Sequence, residues 1–138
     1  MRLLGLDVGD RRIGLAISDP NGKVAVPLRV LRRVALEQDI AAIAALVKAE
    51  EVERVVAGLP LRLDGSVGSQ AESVQEFVRR LLPAVGVPVT LWDERFSSVQ
   101  ADELLRHDDR RASRRGKAEQ DALAAAIILQ GYLDSGEE

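Results

Sequence analysis

The order of the predicted secondary-structure elements is the feature of this sequence that most limits its fold. Three short apolar runs come first, over residues 3–8, 13–17 and 24–31, and turn-forming residues separate them. The apolar spacing then becomes helical over residues 35–50. Because strands joined by tight connections pair antiparallel, the sequence predicts a three-stranded meander followed by a helix.

The rest of the chain alternates between strand and helix. Two strands and three helices are predicted there, over residues 55–57, 69–82, 87–92, 97–106 and 118–133. A capping box formed by Ser69 and Glu72 should begin the first of these helices, and Pro83 should end it. The order is β-β-β-α-β-α-β-α-α. Right-handed crossovers between the parallel strands then place helices on both faces. We therefore expect an α/β protein with a five-stranded mixed sheet, its first strand central, in the ribonuclease-H-like fold.

Length and composition restrict the class of protein. The 138 residues suit one domain over residues 1–138, and the absence of cysteine excludes disulfides and thiolate metal sites. The apolar start of the chain is too short for a signal peptide, and no uncharged run approaches the roughly 20 residues of a membrane span. We expect a soluble cytoplasmic protein that does not bind a membrane.

The charges of the chain are unevenly distributed. The formal net charge is −3, yet residues 106–117 contain six basic residues and only two acidic ones. Such a segment, read as a basic flexible loop, is typical of contacts with a nucleic-acid backbone. A solvated linker would have the same composition.

Asp7 is the most informative acidic residue. It stands at the end of the strand expected to be central and buried, and Gly9 follows shortly after. Burying an isolated carboxylate is costly unless a positive charge compensates it, and a metal ion would do so. The alternative is an acid that caps the turn leading to Arg11 or Arg12.

Two further regions supply acids to the same part of the predicted fold. Asp93 and Glu94 follow the fifth strand, and ligands of parallel sheets gather beyond the carboxyl ends of strands. Because side chains alternate along a strand, Glu94 rather than Asp93 should face the site. Asp121 lies at the start of the last helix, above the stripe expected to pack on the sheet. The alternatives are a charged turn and a favourable interaction with the helix dipole.

These three acids would repel one another unless a cation were present. Oxygen ligands suit Mg²⁺ or Mn²⁺, so the pattern favours a divalent metal site formed by Asp7, Glu94 and Asp121. The lone histidine, His107, falls in the basic segment, which argues against a zinc or histidine-base site.

Five sequence blocks resemble one known family. They are Gly5–Asp19, Val56–Pro60 with Asp64–Ser66, Asp93–Ser98, Asp121–Ala125 and Ile128–Leu133. In this order and spacing they are similar to the YqgF (RuvX) family of Holliday-junction resolvases and pre-16S ribosomal RNA nucleases. The resemblance implies a nuclease whose metal-binding acids are Asp7, Glu94 and Asp121. Related resolvases have a fourth acid after the fourth strand, where this chain has Gly58-Leu59-Pro60, so the number of metals stays open.

The resulting hypothesis is metal-assisted hydrolysis of phosphodiester bonds in pre-16S ribosomal RNA or in branched DNA. Arg12 or Arg95 could hold the scissile phosphate, and the loop containing Ser66 could bind a flanking one. The basic segment would contact the backbone through Arg110, Arg111, Arg114, Arg115 and Lys117. Junction resolution needs two sites related by a two-fold axis, so a homodimer is expected if branched DNA is the substrate.

Two other functions remain open at this point. Actin-like and sugar-kinase domains also begin with an Asp-x-Gly motif, but they close two such domains around ATP and this chain has room for one. A non-catalytic RNA-binding or transcription-associated factor, with structural acids, is the second alternative.

Overall fold

Five strands form one mixed sheet in the computed structural model, which describes residues 1–97 and 117–136. The strands are β1 (Leu3–Val8), β2 (Arg12–Ser18), β3 (Ala25–Arg32), β4 (Arg54–Leu59) and β5 (Val89–Asp93). Their order is β3-β2-β1-β4-β5. The β1–β2 and β2–β3 pairs are antiparallel, while β1–β4 and β4–β5 are parallel. The predicted meander, the mixed sheet and the central first strand are all confirmed.

Helices cover both faces of this sheet. They are α1 (Leu36–Ala49), α2 (Ser69–Val85) and α3 (Lys117–Ser135), and a 3-10 turn (Glu94–Ser97) follows β5. Side chains of α1 and α2 share one core with Leu4 and Leu6 of β1, whereas α3 packs with Leu3 on the opposite face. No helix within the described ranges is long and apolar enough to cross a bilayer. The helix predicted over residues 97–106 lies outside the described residues, apart from its first residue.

Both ends of α2 differ from the prediction. Ser69 is the first helical residue, Gly68 occupies the N-cap, and no side chain caps the helix, so the predicted capping box is wrong. Pro83 lies inside the helix, which ends only at Gly86 with φ of 71°. Proline in the last turn removes one amide hydrogen bond but leaves the next residues helical, and a left-handed glycine ends the helix.

The fifth strand begins later than residue 87. The Val55 amide donates to the Pro88 carbonyl, but Pro88 has no amide hydrogen to return, and regular pairing starts at Val89. The strand also continues through Asp93, one residue further than predicted.

Glycines on the sheet allow α3 to lie very close to it. A Cβ atom added at Gly5 of β1 would be 2.8 Å from Leu129 Cβ, and one added at Gly14 of β2 would be 1.9 Å from the Asp121 carbonyl oxygen. Any larger residue would push the helix away. The first half of α3 is therefore held against the ends of β1 and β2, which places Asp121 above the sheet.

Candidate active site

Asp7 and Asp121 meet on the face of the sheet that α3 covers. Asp7 points to the same face as Gly5, because alternate residues of a strand share a face. Asp7 pairs in register with Gly14 of β2. The backbone of α3 at Asp121 lies directly against Gly14. The pairing of β1 with β2 and the close approach of α3 thus bring together two acids that are 114 positions apart in sequence.

Glu94 reaches the same face from the other side of β1. It follows β5 one residue after Asp93, in phase with Trp92, which is buried against α3. A Cβ atom added at Gly58 of β4 would lie 2.5 Å from Glu94 Oε1. The Glu94 carboxylate therefore lies over Gly58, in the space that a side chain at this position of β4 would fill.

Burial and mutual repulsion raise the pKa of two of these acids. The pKa of Asp7 is raised to about 6, mainly by burial and further by the charge of Asp121. The pKa of Glu94 is raised to about 7, again first by burial and then by Asp7 and Asp93. Within the described residues neither carboxylate accepts a hydrogen bond or forms an ion pair. Both groups therefore lack the compensation that a buried negative charge needs.

The third acid is engaged by an arginine. Arg12 Nε donates to Asp121 Oδ2 at 2.6 Å, and both side chains are partly exposed. As the side chains stand, no three acid, histidine or cysteine groups among residues 1–97 and 117–136 are arranged to hold an ion together. Arg12 holds one oxygen of Asp121 in this arrangement.

Asp93 does not join the cluster, as its position in the strand predicted. Its carboxylate accepts from Arg95 through Nε at 2.9 Å and Nη2 at 2.6 Å, and this contact lowers the pKa of Asp93. Arg95 Nη1 also donates to the Leu63 carbonyl at 3.4 Å. Arg95 therefore braces the loop after β4 against β5, and its guanidinium is committed to protein contacts.

The loop after β4 is closed by its own hydrogen bonds. The Ser66 hydroxyl donates to Asp64 Oδ1 at 2.6 Å, and the Arg62 amide donates to the Ser66 carbonyl at 3.0 Å. Gly65, with φ of 87°, makes the turn. Ser66 thus lies beside the site but uses its hydroxyl within the loop.

The predicted basic contacts cannot all be located. Arg110, Arg111, Arg114 and Arg115 lie outside the described residues, and Lys117 is described only as the first residue of α3.

Sequence reasoning missed the glycines that build the site. Gly14 admits the backbone of α3, and Gly58 admits the Glu94 carboxylate. The available signal was a glycine within an otherwise apolar strand, which often marks a place where another group approaches the backbone.

Relatives of known sequence match nearly the whole chain. A protein of Desulforamulus reducens named "Putative pre-16S rRNA nuclease" is 45% identical over 136 residues, which are 99% of this chain and 98% of that protein. A protein of the same name from Desulforudis audaxviator is 47% identical over 135 residues, covering 98% of this chain and 95% of the relative.

Solved structures share the fold at much lower identity. Thermus thermophilus RuvC superposes with a TM-score of 0.65 at 20% identity, covering 99% of this chain and 97% of that one. The fowlpox virus Holliday junction resolvase has a TM-score of 0.58 at 11% identity, with coverage of 98% and 99%. These likenesses confirm the ribonuclease-H-like architecture. The model of the RuvX family, described as Holliday junction resolvase, matches residues 1–135, and this chain belongs to that family.

Proposed function

We propose that Asp7, Glu94 and Asp121 form the divalent-metal centre of a nuclease, and that this centre hydrolyses phosphodiester bonds in structured nucleic acid. The enzyme class follows from the family and from relatives that are 44–47% identical. The observation that carries the assignment of the centre is the placement of three carboxylates on one face, at one edge of the sheet.

The chemistry of these side chains fits Mg²⁺ or Mn²⁺. All three donors are carboxylate oxygens, which these ions prefer. Asp7 and Glu94 are compensated by no cation in the described part of the chain, and their raised pKa values express that deficit. When bound, a divalent ion supplies a water activated at neutral pH and stabilisation of charge on the phosphate oxygens.

The protein's own residues have separate tasks in this proposal. Asp7, on the central strand, is the fixed ligand between the other two. Glu94 is held over Gly58, where no side chain competes for the space. Arg12 holds Asp121 by the 2.6 Å contact, and it would keep this carboxylate oriented until a metal or a phosphate competes for it.

Precursor ribosomal RNA, cut at its 5′ end, is the substrate that we favour. The relatives that share most of the sequence are named for pre-16S rRNA. The family description favours branched DNA as the second candidate. In both cases the acidic centre would be the same, and the surrounding cations would select the substrate.

The basic segment over residues 106–117 is proposed as a clamp on the sugar–phosphate backbone. Replacing Arg114 and Arg115 by alanine should weaken binding and lower the slope of log K against log salt by about one unit per lost contact. The measurement is binding of labelled RNA at several salt concentrations. An unchanged slope would discredit the clamp.

Cleavage assays test the proposed centre. The wild type should cut a precursor rRNA fragment or a four-way DNA junction in Mn²⁺. Asp7→Asn should lower the rate by about a hundredfold or more, the scale of loss when one group that stabilises the transition state is removed. Asp10→Asn is the matched control, since Asp10 is an exposed acid in the turn after β1. Equal rates for wild type and Asp7→Asn would refute the enzyme centre and favour a non-catalytic nucleic-acid-binding role.

Oligomeric state separates the two substrates. Symmetric cutting of a junction needs two centres, so light scattering should detect a homodimer on branched DNA if that is the substrate. A monomer that cuts RNA would favour the ribosomal precursor.

A further inference from the structure

Three exposed arginines share the sheet edge with the acids. Arg11, Arg32 and Arg62 are exposed, and within the described residues none of them forms an ion pair or a side-chain hydrogen bond. Arg12 and Arg95, at the same edge, are instead neutralised by Asp121 and Asp93. The cations in this region thus divide into a group that holds the acids in place and a group that makes no side-chain hydrogen bond or ion pair with the residues that the structure describes.

Two of the unpartnered arginines lie on the β2–β3 side of the acids. Arg32 is the register partner of Arg12, so both point to the face on which α3 and Asp7 lie. Arg11 stands in the turn between β1 and β2, and the Arg33 amide fixes its backbone by donating to the Arg11 carbonyl at 2.9 Å. Their backbones are therefore rigidly placed, while their guanidinium groups face solvent.

The third arginine lies on the β4–β5 side. The Arg62 carbonyl accepts from the Gly65 amide at 2.8 Å, which holds Arg62 in the closed turn after β4. Arg95, which follows Glu94 in the chain, donates to the carbonyl of Leu63, which follows Arg62 in that turn. Arg62 thus lies in the loop after β4, on the other side of β1 from Arg11 and Arg32, with its guanidinium beside Gly68.

The spacing of the two flanks suits a polyanion. Arg12 is already paired with Asp121, so Arg32, which stands opposite it, is the arginine of this pair that is available to a phosphate within the described part of the chain. From β3 to β4 there are three strand spacings, or about 14 Å, and a stacked nucleic-acid strand advances about 3.4 Å per nucleotide. The two flanks can therefore hold phosphates about four nucleotides apart, with the acids between them.

We propose that Arg11, Arg32 and Arg62 form an arginine rim that binds the phosphates on both sides of the bond to be cut, so that the substrate strand crosses the sheet edge perpendicular to the β-strands. This surface is separate from the basic segment over residues 106–117. The inference deepens the proposed nuclease function, since the rim places a nucleic-acid strand over the acidic centre.

Binding measured without metal tests the rim alone. Fluorescence anisotropy in EDTA, with a labelled precursor rRNA fragment and a labelled four-way DNA junction, excludes cleavage. Arg11→Ala/Arg32→Ala should weaken binding about 25- to 60-fold at 0.1 M salt, and Arg62→Ala about five- to eightfold, with the salt slope falling by about 0.7 to 0.9 per contact. The matched control is Lys23→Ala/Lys48→Ala, which removes two exposed charges from elsewhere on the molecule. This control should change binding less than twofold.

Lysine replacements distinguish the effect of losing positive charge from an effect on folding. Arg11→Lys/Arg32→Lys should keep most of the affinity, because attraction to the phosphates depends mainly on charge. Rim variants that bind like the control, lysine variants as weak as alanine variants, or a wild type that binds neither probe would each overturn the rim.

Failure of the rim and failure of the nuclease centre give different results. A wild type that cuts neither substrate in Mn²⁺, while the rim variants lose binding as expected, would refute the nuclease centre and leave the rim standing.

Discussion

Neutralising Asp7 should stabilise the metal-free protein at alkaline pH. In most proteins, neutralising a buried acid at the end of a strand destabilises the fold, because hydrogen bonds or ion pairs hold the carboxylate in place. Here the Asp7 carboxylate accepts no hydrogen bond within the described residues, and burial together with Asp121 raises its pKa. Asp7→Asn keeps the shape of the side chain and removes the charge, so we expect a more stable protein.

The size of the effect follows from the shift in pKa. The folded-state value is about 6, against 3.8 for the unconstrained side chain. Between these values the folded protein binds a proton that the unfolded chain has released, so stability falls as pH rises through this window. Above about pH 6, the full energetic cost of the buried, ionised Asp7 carboxylate is present. A shift of about two units corresponds to about 3 kcal/mol, an upper bound because the asparagine amide must also be desolvated.

Urea unfolding of the metal-free protein in EDTA measures this cost. At pH 8, Asp7→Asn should raise the free energy of unfolding by about 1 to 3 kcal/mol, and at pH 4 the gain should shrink below about 1 kcal/mol. Glu94→Gln should behave similarly, with a window reaching to about pH 7. Asp10→Asn serves as the exposed control and should change stability by less than about 0.5 kcal/mol.

Metal supplies the second half of this experiment. Adding Mg²⁺ should raise the midpoint of unfolding of the wild type, since an ion that binds only the folded state stabilises it, and the rise should be lost in Asp7→Asn. A loss of stability in metal-free Asp7→Asn at pH 8 would refute the reasoning. It would show that Asp7 is held by favourable protein contacts.

Two further substitutions probe how the site is built. Gly14→Ala should destabilise the protein by about 3 kcal/mol and lower the cleavage rate, because the added Cβ would lie 1.9 Å from the Asp121 carbonyl oxygen. A urea denaturation curve that matches the wild type would show that α3 does not pack on this glycine. Arg33→Ala should lower the free energy of unfolding in urea by about 3 kcal/mol, because Arg33 pairs with buried Asp39 at 3.2 Å and donates to the Gly9 carbonyl at 2.9 Å. Adding Asp39→Asn to this variant should recover part of the lost stability. A cost below about 1 kcal/mol would contradict this role of Arg33.

The fold was predictable because local patterns determine it. Alternating and helical apolar spacing identified the five strands and the helices α1, α2 and α3, and the handedness of crossovers then left one arrangement of layers. Errors occurred at element ends. The cap predicted at Ser69 was wrong because Ser69 is already helical, and the stop predicted at Pro83 was wrong because the helix continues to Gly86, whose left-handed backbone ends it.

The sequence by itself determined that Asp93 and Glu94 point to opposite faces of the sheet, because side chains alternate along a strand. That Glu94 shares its face with Asp7 depends on how β1, β4 and β5 pair, which is a property of the sheet. Only the tertiary structure decided which groups satisfy one another there. Arg12 holds Asp121, Arg95 pairs with Asp93, and Asp7 has no hydrogen-bond or ion-pair partner among the residues that the structure describes. The physical reason is that each pairing depends on how closely α3 and the loop after β4 approach the sheet, and these distances are set by packing between segments far apart in the chain.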